Sequence, residues 1–235
     1  MRRLVAFLAA ASVLSTAALT AGCSTTPDDP AHGPGGRAAP GHATIPRTLP
    51  SATRHAERDC ASTPPSGTVV RTGYGLNYTR GSIHAGVRPD AGRPVCVRFA
   101  KSGPADPQVP VDMLLFTFAG PDGEGAQVEF RTTALTGGVL PPLGDGYYPT
   151  VGPLNHPVDA AVGISVDGVY YHSDRCALRL TTVTALGAAG RFDCPRAIVR
   201  EANPFAPSDD TDPDTDDLAV GEPVATLSGW FSVTP

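Results

Sequence analysis

The chain predicts an all-β domain, an antiparallel β-sandwich with long loops, preceded by an export signal and an unstructured tether. Three observations carry that reading. From Cys60 to Pro235 the sequence runs in short apolar or alternating stretches broken by Gly, Pro and Asp, the texture of strands joined by turns. The same region lacks the sustained spacing of three and four residues that marks an amphipathic helix, so no helix is predicted. Its length suffices for one sizeable core and hardly for two, so residues 66–235 are read as a single domain.

The strands expected, in order, are Gly67 to Tyr74, Val95 to Ala100, Met113 to Ala119, Ala126 to Thr133, Val158 to Val166, Val169 to Ser173, Ala177 to Thr184, Gly190 to Cys194 and Val224 to Val233. Two joints are sharply marked. Asp167-Gly168 separates two apolar runs by two residues, and both central positions of a type I′ hairpin turn need positive φ. Pro121-Asp122-Gly123-Glu124-Gly125 makes a longer hairpin. Many short strands with frequent turns favour two half-buried sheets packed face to face. Gly190-Arg191-Phe192-Asp193-Cys194 and Gly229-Trp230-Phe231-Ser232-Val233 share the pattern Gly-x-Phe-x-apolar, which makes the last strand, with the chain's single tryptophan, part of the core.

The N-terminus sets the compartment. Arg2 and Arg3 precede an uncharged apolar run from Leu4 to Leu19, and Ala21-Gly22 follow it. That run is short of the roughly 20 residues a membrane span needs, so residues 1–22 read as a removable signal peptide. Leu19-Thr20-Ala21-Gly22-Cys23 resembles the lipobox of bacterial lipoproteins, with one departure: the leucine lies four residues before the cysteine, where the motif has it at three. The resemblance implies acylation of Cys23 as the new N-terminus, with membrane contact through that lipid and the protein on the extracytoplasmic face of the cell membrane. An ordinary secretory cleavage, for instance after Ser15-Thr16-Ala17, is the alternative and leaves the protein secreted.

Cysteine parity agrees with lipidation. With Cys23 acylated, Cys60, Cys96, Cys176 and Cys194 remain, an even set that can form two disulfides in an oxidising compartment. Four cysteines allow three connectivities. Cys60 with Cys96 and Cys176 with Cys194 are favoured because each pair closes a modest loop. Close metal-binding spacings such as C-x-x-C do not occur among them.

Residues 23–65 are dominated by Pro, Gly, Ala, Ser and Thr with hardly any large apolar side chain, and such a segment cannot offset its ordering entropy by burial. As a flexible coil, the stretch from Cys23 to Cys60 would hold the domain on the order of 30 Å from an anchor. The lipobox-like end, the tether and a cysteine-stapled β domain together resemble, in layout, the uncharacterised secreted lipoproteins of high-GC Gram-positive bacteria. Arginine at all but one of the 18 basic positions is a compositional echo of that group. The resemblance brings no catalytic residues with it.

Charge narrows the partners. Between Cys60 and Arg200 the formal balance is close to neutral, whereas residues 201–222 hold eight acids and no base. Nucleic acid is therefore not an expected partner, since phosphate contacts need a basic face. The run Ser208 to Asp217 alternates aspartates as calcium loops do, but an EF-hand register starting at Asp212 would put Asp217 where Gly belongs and Pro223 where a bidentate Glu belongs. It is read as a solvated, self-repelling loop of the domain.

The remaining candidate is the stretch from Ala134 to Pro157, rich in Gly and Pro and unusually long for a connection inside one domain. Tyr147 and Tyr148 at its middle could stack on a sugar or a peptide. Catalytic signatures are missing: Gly163-Ile164-Ser165-Val166-Asp167 lacks the second glycine of G-x-S-x-G, H-E-x-x-H does not occur, and Ser82-Ile83-His84 has no identifiable third partner. His84, His156 and His172 could meet at a metal only through the fold. No catalytic residue, metal site or cofactor is assigned. The expectation is a membrane-anchored, non-enzymatic envelope module that binds a cell-wall polymer or an envelope protein through Tyr147 and Tyr148, the alternative being a secreted hydrolase whose site assembles from separate strands.

Overall fold

The structure is a computed structural model that describes residues 53–106, 112–139, 144, 146, 148–207 and 224–235. Its elements are β1 (Thr53–His55), α1 (Glu57–Cys60), β2 (Arg80–Pro89), β3 (Val95–Ser102), β4 (Met113–Ala119), β5 (Gly125–Arg131), α2 (Thr132–Thr136), β6 (Val158–Val166), β7 (Val169–Thr184), β8 (Gly187–Arg200) and β9 (Val224–Thr234).

The sandwich expectation is wrong: the strands form a closed, eight-stranded antiparallel barrel. From β2 to β9 each strand pairs with the next in sequence, and β9 returns to pair with β2, so the meander has no free edge. That closing seam is extensive, running from Arg80 opposite Thr234 to Pro89 opposite Ala225. The β3–β4 seam is narrow, from Ala100 opposite Ala119 to Ser102 opposite Thr117. Here β1 lies along the remaining edge of β3, from Thr53 opposite Arg98 to His55 opposite Cys96. An alternating sequence shows that each strand buries one face. It does not say whether that face meets a second sheet or curls round to meet itself.

Closure depends on features with no strong sequence signal. β2, which reads Arg-Gly-Ser-Ile-His-Ala-Gly-Val-Arg-Pro, carries two glycines and four polar residues, and the sequence pattern does not predict it as a strand. β7 and β8 are each one long strand where shorter ones were expected. They cross three register shifts, at Ala160/Val162, Leu180/Thr182 and Cys194/Ala197, and such bulges add the twist that lets a sheet coil shut. Gly67 to Tyr74, expected as a strand, makes only two isolated bridges, Val69 with Val183 and Val70 with Val151.

The barrel interior is a packed core. Phe99, Phe116, Phe118, Phe192 and Phe231 are fully buried with Ile83, Leu114, Ile164, Leu178 and Leu227, and Phe116 lies 5.3 Å from Phe231 and 5.8 Å from Phe130 between ring centroids. Eight strands enclose a space that side chains can just fill. Large and small residues alternate across it: a Cβ at Gly229 would lie 2.8 Å from the Phe192 ring and 2.1 Å from the His84 carbonyl oxygen. Tyr78, from the segment leading into β2, is fully buried at one end beside Phe116, and its hydroxyl donates to the Thr184 carbonyl at 2.6 Å. Apolar side chains point inward and arginines outward, the reverse of a barrel that spans a bilayer.

Both favoured disulfides form. Cys176–Cys194 joins neighbouring strands β7 and β8 inside the core, and Cys60–Cys96 fastens α1 to the outer face of β3. The Asp167-Gly168 turn adopts the expected positive φ at both positions, and Asp122 and Gly123 in the longer hairpin have positive φ as well. Residues 53–65, assigned to the tether from composition, carry β1 and α1, which pairing and the disulfide hold against the wall. Of the acidic loop, Glu201 to Pro207 are described and dock on the barrel: Phe205 covers Gly125 and meets Tyr170 edge-on, and the Asn203 amide donates to Ser165 Oγ at 2.9 Å. The aspartate run lies outside the described residues.

Candidate functional site

With the interior filled, two clefts among the described residues lie on the outer wall. The one nearest the Ala134 to Pro157 loop forms where α2 leaves β5. Strand alternation turns Glu129, Arg131 and Asp159 outward, and the bulge that displaces β6 against β7 brings Asp174 alongside them. Ala161 is the outward register partner of Glu129. Its small side chain leaves a gap in the wall. α2 ends at Gly137, whose φ of 81° caps it, and Gly138 N–H returns to the Thr133 carbonyl at 2.8 Å. The result is a cleft of about 680 Å³ with Thr133, Ala134, Gly137 and Gly138 on one side, the three carboxylates and Arg131 on the other, and Phe130 and Ala160 in its lining.

Chemically, three carboxylates against one guanidinium favour a cationic group, and the glycines let a chain approach the backbone closely. The long loop is not structureless. It starts as α2, and beyond its middle it is pinned by the Val70–Val151 bridge, by Arg71 N–H to Thr150 and by the Arg71 guanidinium to the Gly152 and Pro153 carbonyls. Tyr148 projects from it with 88% of its surface exposed. Tyr147 lies outside the described residues.

A second cluster sits on the opposite wall and was not anticipated. β2 places His84 between Trp230 of β9 and Arg98 of β3. The His84 ring stacks on the indole with centroids 4.3 Å apart and planes 8° from parallel. β1 and α1 close over it: the His55 ring is 5.4 Å from that of His84, His55 Nδ1 lies 3.5 Å from an Asp59 carboxylate oxygen, and Trp230 Nε1 donates to the Asp59 carbonyl at 2.8 Å. Burial, helped by the neighbouring His55 and Arg98 and opposed by Asp59, holds the His84 imidazole below its ordinary pKa. His55 Nε2 and His84 Nδ1 are buried without hydrogen-bond partners. Beside this cluster a cleft of about 620 Å³ runs along the Cys60–Cys96 disulfide, bordered by Glu57, Arg58, Arg88 and Asp193. Trp230, Ser82-Ile83-His84 and the Cys60–Cys96 pair were the sequence's separate pointers to this wall, but nothing in the sequence said that they meet.

The other sequence candidates separate. His84 is on β2 and His172 on β7, on different walls, and among the described residues no three His, Cys, Asp or Glu side chains are grouped to hold a metal ion. Ser82 accepts a hydrogen bond from Arg98 Nε at 3.1 Å, and Ser165 donates to the Gly123 carbonyl at 2.8 Å. Both hydroxyls therefore tie structure together.

Sorting outward-facing charges by strand exposes an asymmetry. β8, β9, β2 and β3 form one contiguous half of the ring. With the β2–β3 turn and with β1 and α1 that cover it, its outer side carries Arg54, Arg58, Arg80, Arg88, Arg93, Arg98, Arg191, Arg196 and Arg200 against Glu57, Asp59, Asp90 and Asp193, with Arg88 paired to Glu57 at 3.5 Å and Arg54 reaching Glu124 and Asp167 of the other half. The other half, β4 to β7 with its two turns, carries Asp122, Glu124, Glu129, Asp159, Asp167 and Asp174 against Arg131, Arg175 and Arg179. The near-zero sum over the sequence thus conceals a basic wall and an acidic one. No family model matches the chain, and neither a curated protein nor a solved structure matches it.

Proposed function

We propose that the chain is an envelope lipoprotein, acylated at Cys23 and held at the extracytoplasmic face of the cell membrane, whose barrel is a non-enzymatic binding module. The observation that carries the binding reading is the cleft beneath α2, where Glu129, Asp159 and Asp174 face the glycine-rich start of the Ala134 to Pro157 loop. The ligand class that fits is a cell-wall polymer or envelope protein presenting an amino or guanidinium group to the carboxylates, with Tyr148 offering a ring for stacking. The filled interior supports an outer-wall site, because it leaves no room to enclose a ligand among those side chains.

Binding is tested by co-sedimentation of the full chain with purified cell-wall sacculi. Asp159→Asn combined with Asp174→Asn removes two charge-assisted contacts and should weaken binding by roughly tenfold or more, with Tyr148→Ala giving a smaller loss. Unchanged sedimentation of both variants would refute the site. The anchor is tested by incorporation of labelled palmitate, which should disappear in Cys23→Ser.

A further inference from the structure

The arginine wall has a use that the acidic cleft does not explain. Its bases are all arginines, whose planar guanidinium pairs with phosphate oxygens in a two-pronged fashion that lysine cannot match. Arg191 and Arg98 flank the Trp230–His84 stack in one cross-strand row. Eight strands about 4.7 Å apart form a backbone cylinder on the order of 15 Å across, wider than the Debye length of about 8 Å at physiological salt. The acidic wall therefore does not cancel the basic one at close range. β1, the first described strand, is hydrogen-bonded to β3, which puts Thr53 on this same wall.

We propose that the β8–β9–β2–β3 wall is a docking surface for an anionic membrane, its arginines contacting lipid headgroup phosphates. The proposal rests on the anchoring reading, since a lipid at Cys23 would keep the barrel within reach of the bilayer, where an anionic surface attracts the basic wall and repels the acidic one. Docking adds a second, electrostatic attachment to the covalent one, the combination that turns weak single-chain anchoring into stable residence. It also fixes which face of the barrel meets other envelope components.

The test uses the full chain carrying Cys23→Ser, so that no acyl group contributes. The probes are vesicles of phosphatidylglycerol and of phosphatidylcholine, read by sedimentation and by Trp230 emission. Binding to the anionic vesicles only is expected, falling steeply with added salt. Each arginine near an anionic surface contributes roughly fivefold in affinity, so Arg98→Gln with Arg191→Gln should lose about 25-fold. Arg93→Gln with Arg196→Gln, at exposed positions, gives the same readout should the central pair disturb folding. Glu129→Gln with Asp159→Asn, on the other wall, should leave vesicle binding unchanged. Equal binding to both lipids, insensitivity to salt, or no effect of either arginine pair would overturn the proposal. So would tight binding of soluble polyphosphate without vesicle binding, which would make the wall a polymer surface. Because palmitate labelling of the wild type reports the anchor by itself, either reading can fail without the other.

Discussion

Removing the two disulfides one at a time distinguishes a staple on the wall from a staple in the core. The outer bridge closes a 36-residue separation and the inner one an 18-residue separation. In the chain-entropy account, deleting them costs about 3.8 and about 3.2 kcal/mol respectively, a large share of the roughly 5–15 kcal/mol that stabilises a typical domain. The inner pair loses buried sulfur packing as well, because Cys176 and Cys194 belong to the core. The structural consequences differ more than the magnitudes. Cys176 and Cys194 sit on strands paired along most of their length, so Cys176→Ala with Cys194→Ala should unfold in one transition, shifted to lower urea. Without the outer bridge, α1 and β1 keep the three-residue pairing with β3, the Trp230 to Asp59 hydrogen bond and the Arg191 to Ala61 hydrogen bond. Cys60→Ala with Cys96→Ala should therefore release this segment before the barrel opens. Trp230 fluorescence, which reports the contact with α1, would then change at lower urea than far-ultraviolet circular dichroism, which reports the strands. Coincident transitions in the outer variant, with a stability loss below about 1 kcal/mol, would refute the assignment of that bridge as the fastener of the segment.

Two further outcomes are expected. Tyr78→Phe leaves the Thr184 carbonyl without its donor at a buried barrel end and should cost roughly 1–3 kcal/mol, a fall of several degrees in Tm for a domain of this size; an unchanged Tm would show that the carbonyl finds another partner. Stability should fall as pH drops below the unfolded histidine value of about 6.5. His84 and His172 are both held below their ordinary pKa, chiefly by burial, so the unfolded chain binds more protons in that window and acid favours it. Above that pH the contribution is complete. Denaturation midpoints measured between pH 7 and pH 5 should slope downward, and His84→Gln should flatten part of the slope.

The strands with dense alternating or apolar patterns were legible: Met113 to Ala119 and Val158 to Val166 begin and end where the sequence placed them. So were the Asp-Gly turns, because only a few residues tolerate positive φ. What escaped was determined at long range. β2 is a strand because β3 and β9 flank it, not because Gly81, His84 and Gly86 favour extension. β1 and α1 hold their place through Cys96 and Trp230, partners far along the chain. The candidate cleft was half legible. The length of the Ala134 to Pro157 loop pointed to it, but Glu129, Asp159 and Asp174 lie on three strands and only the register brings them to one opening. The segregation of charge into two walls was hidden for the same reason, since adjacent positions in sequence alternate between core and solvent while distant strands share a wall.

The seam between β2 and β9 has a consequence in time. A chain is made from its N-terminus, and β2 is complete long before its partner exists, about 144 positions later in sequence. Until Val224 to Thr234 emerges, β2 and β8 each present a bare row of backbone donors and acceptors, the kind of edge that recruits other strands. Local hairpins such as β4–β5 can form early, but the step that turns a curled sheet into a barrel joins the most distant strands and carries the largest loop-closure entropy. The eleven residues of β9 thus act as a clasp, and the molecule stays open to wrong partners until they arrive.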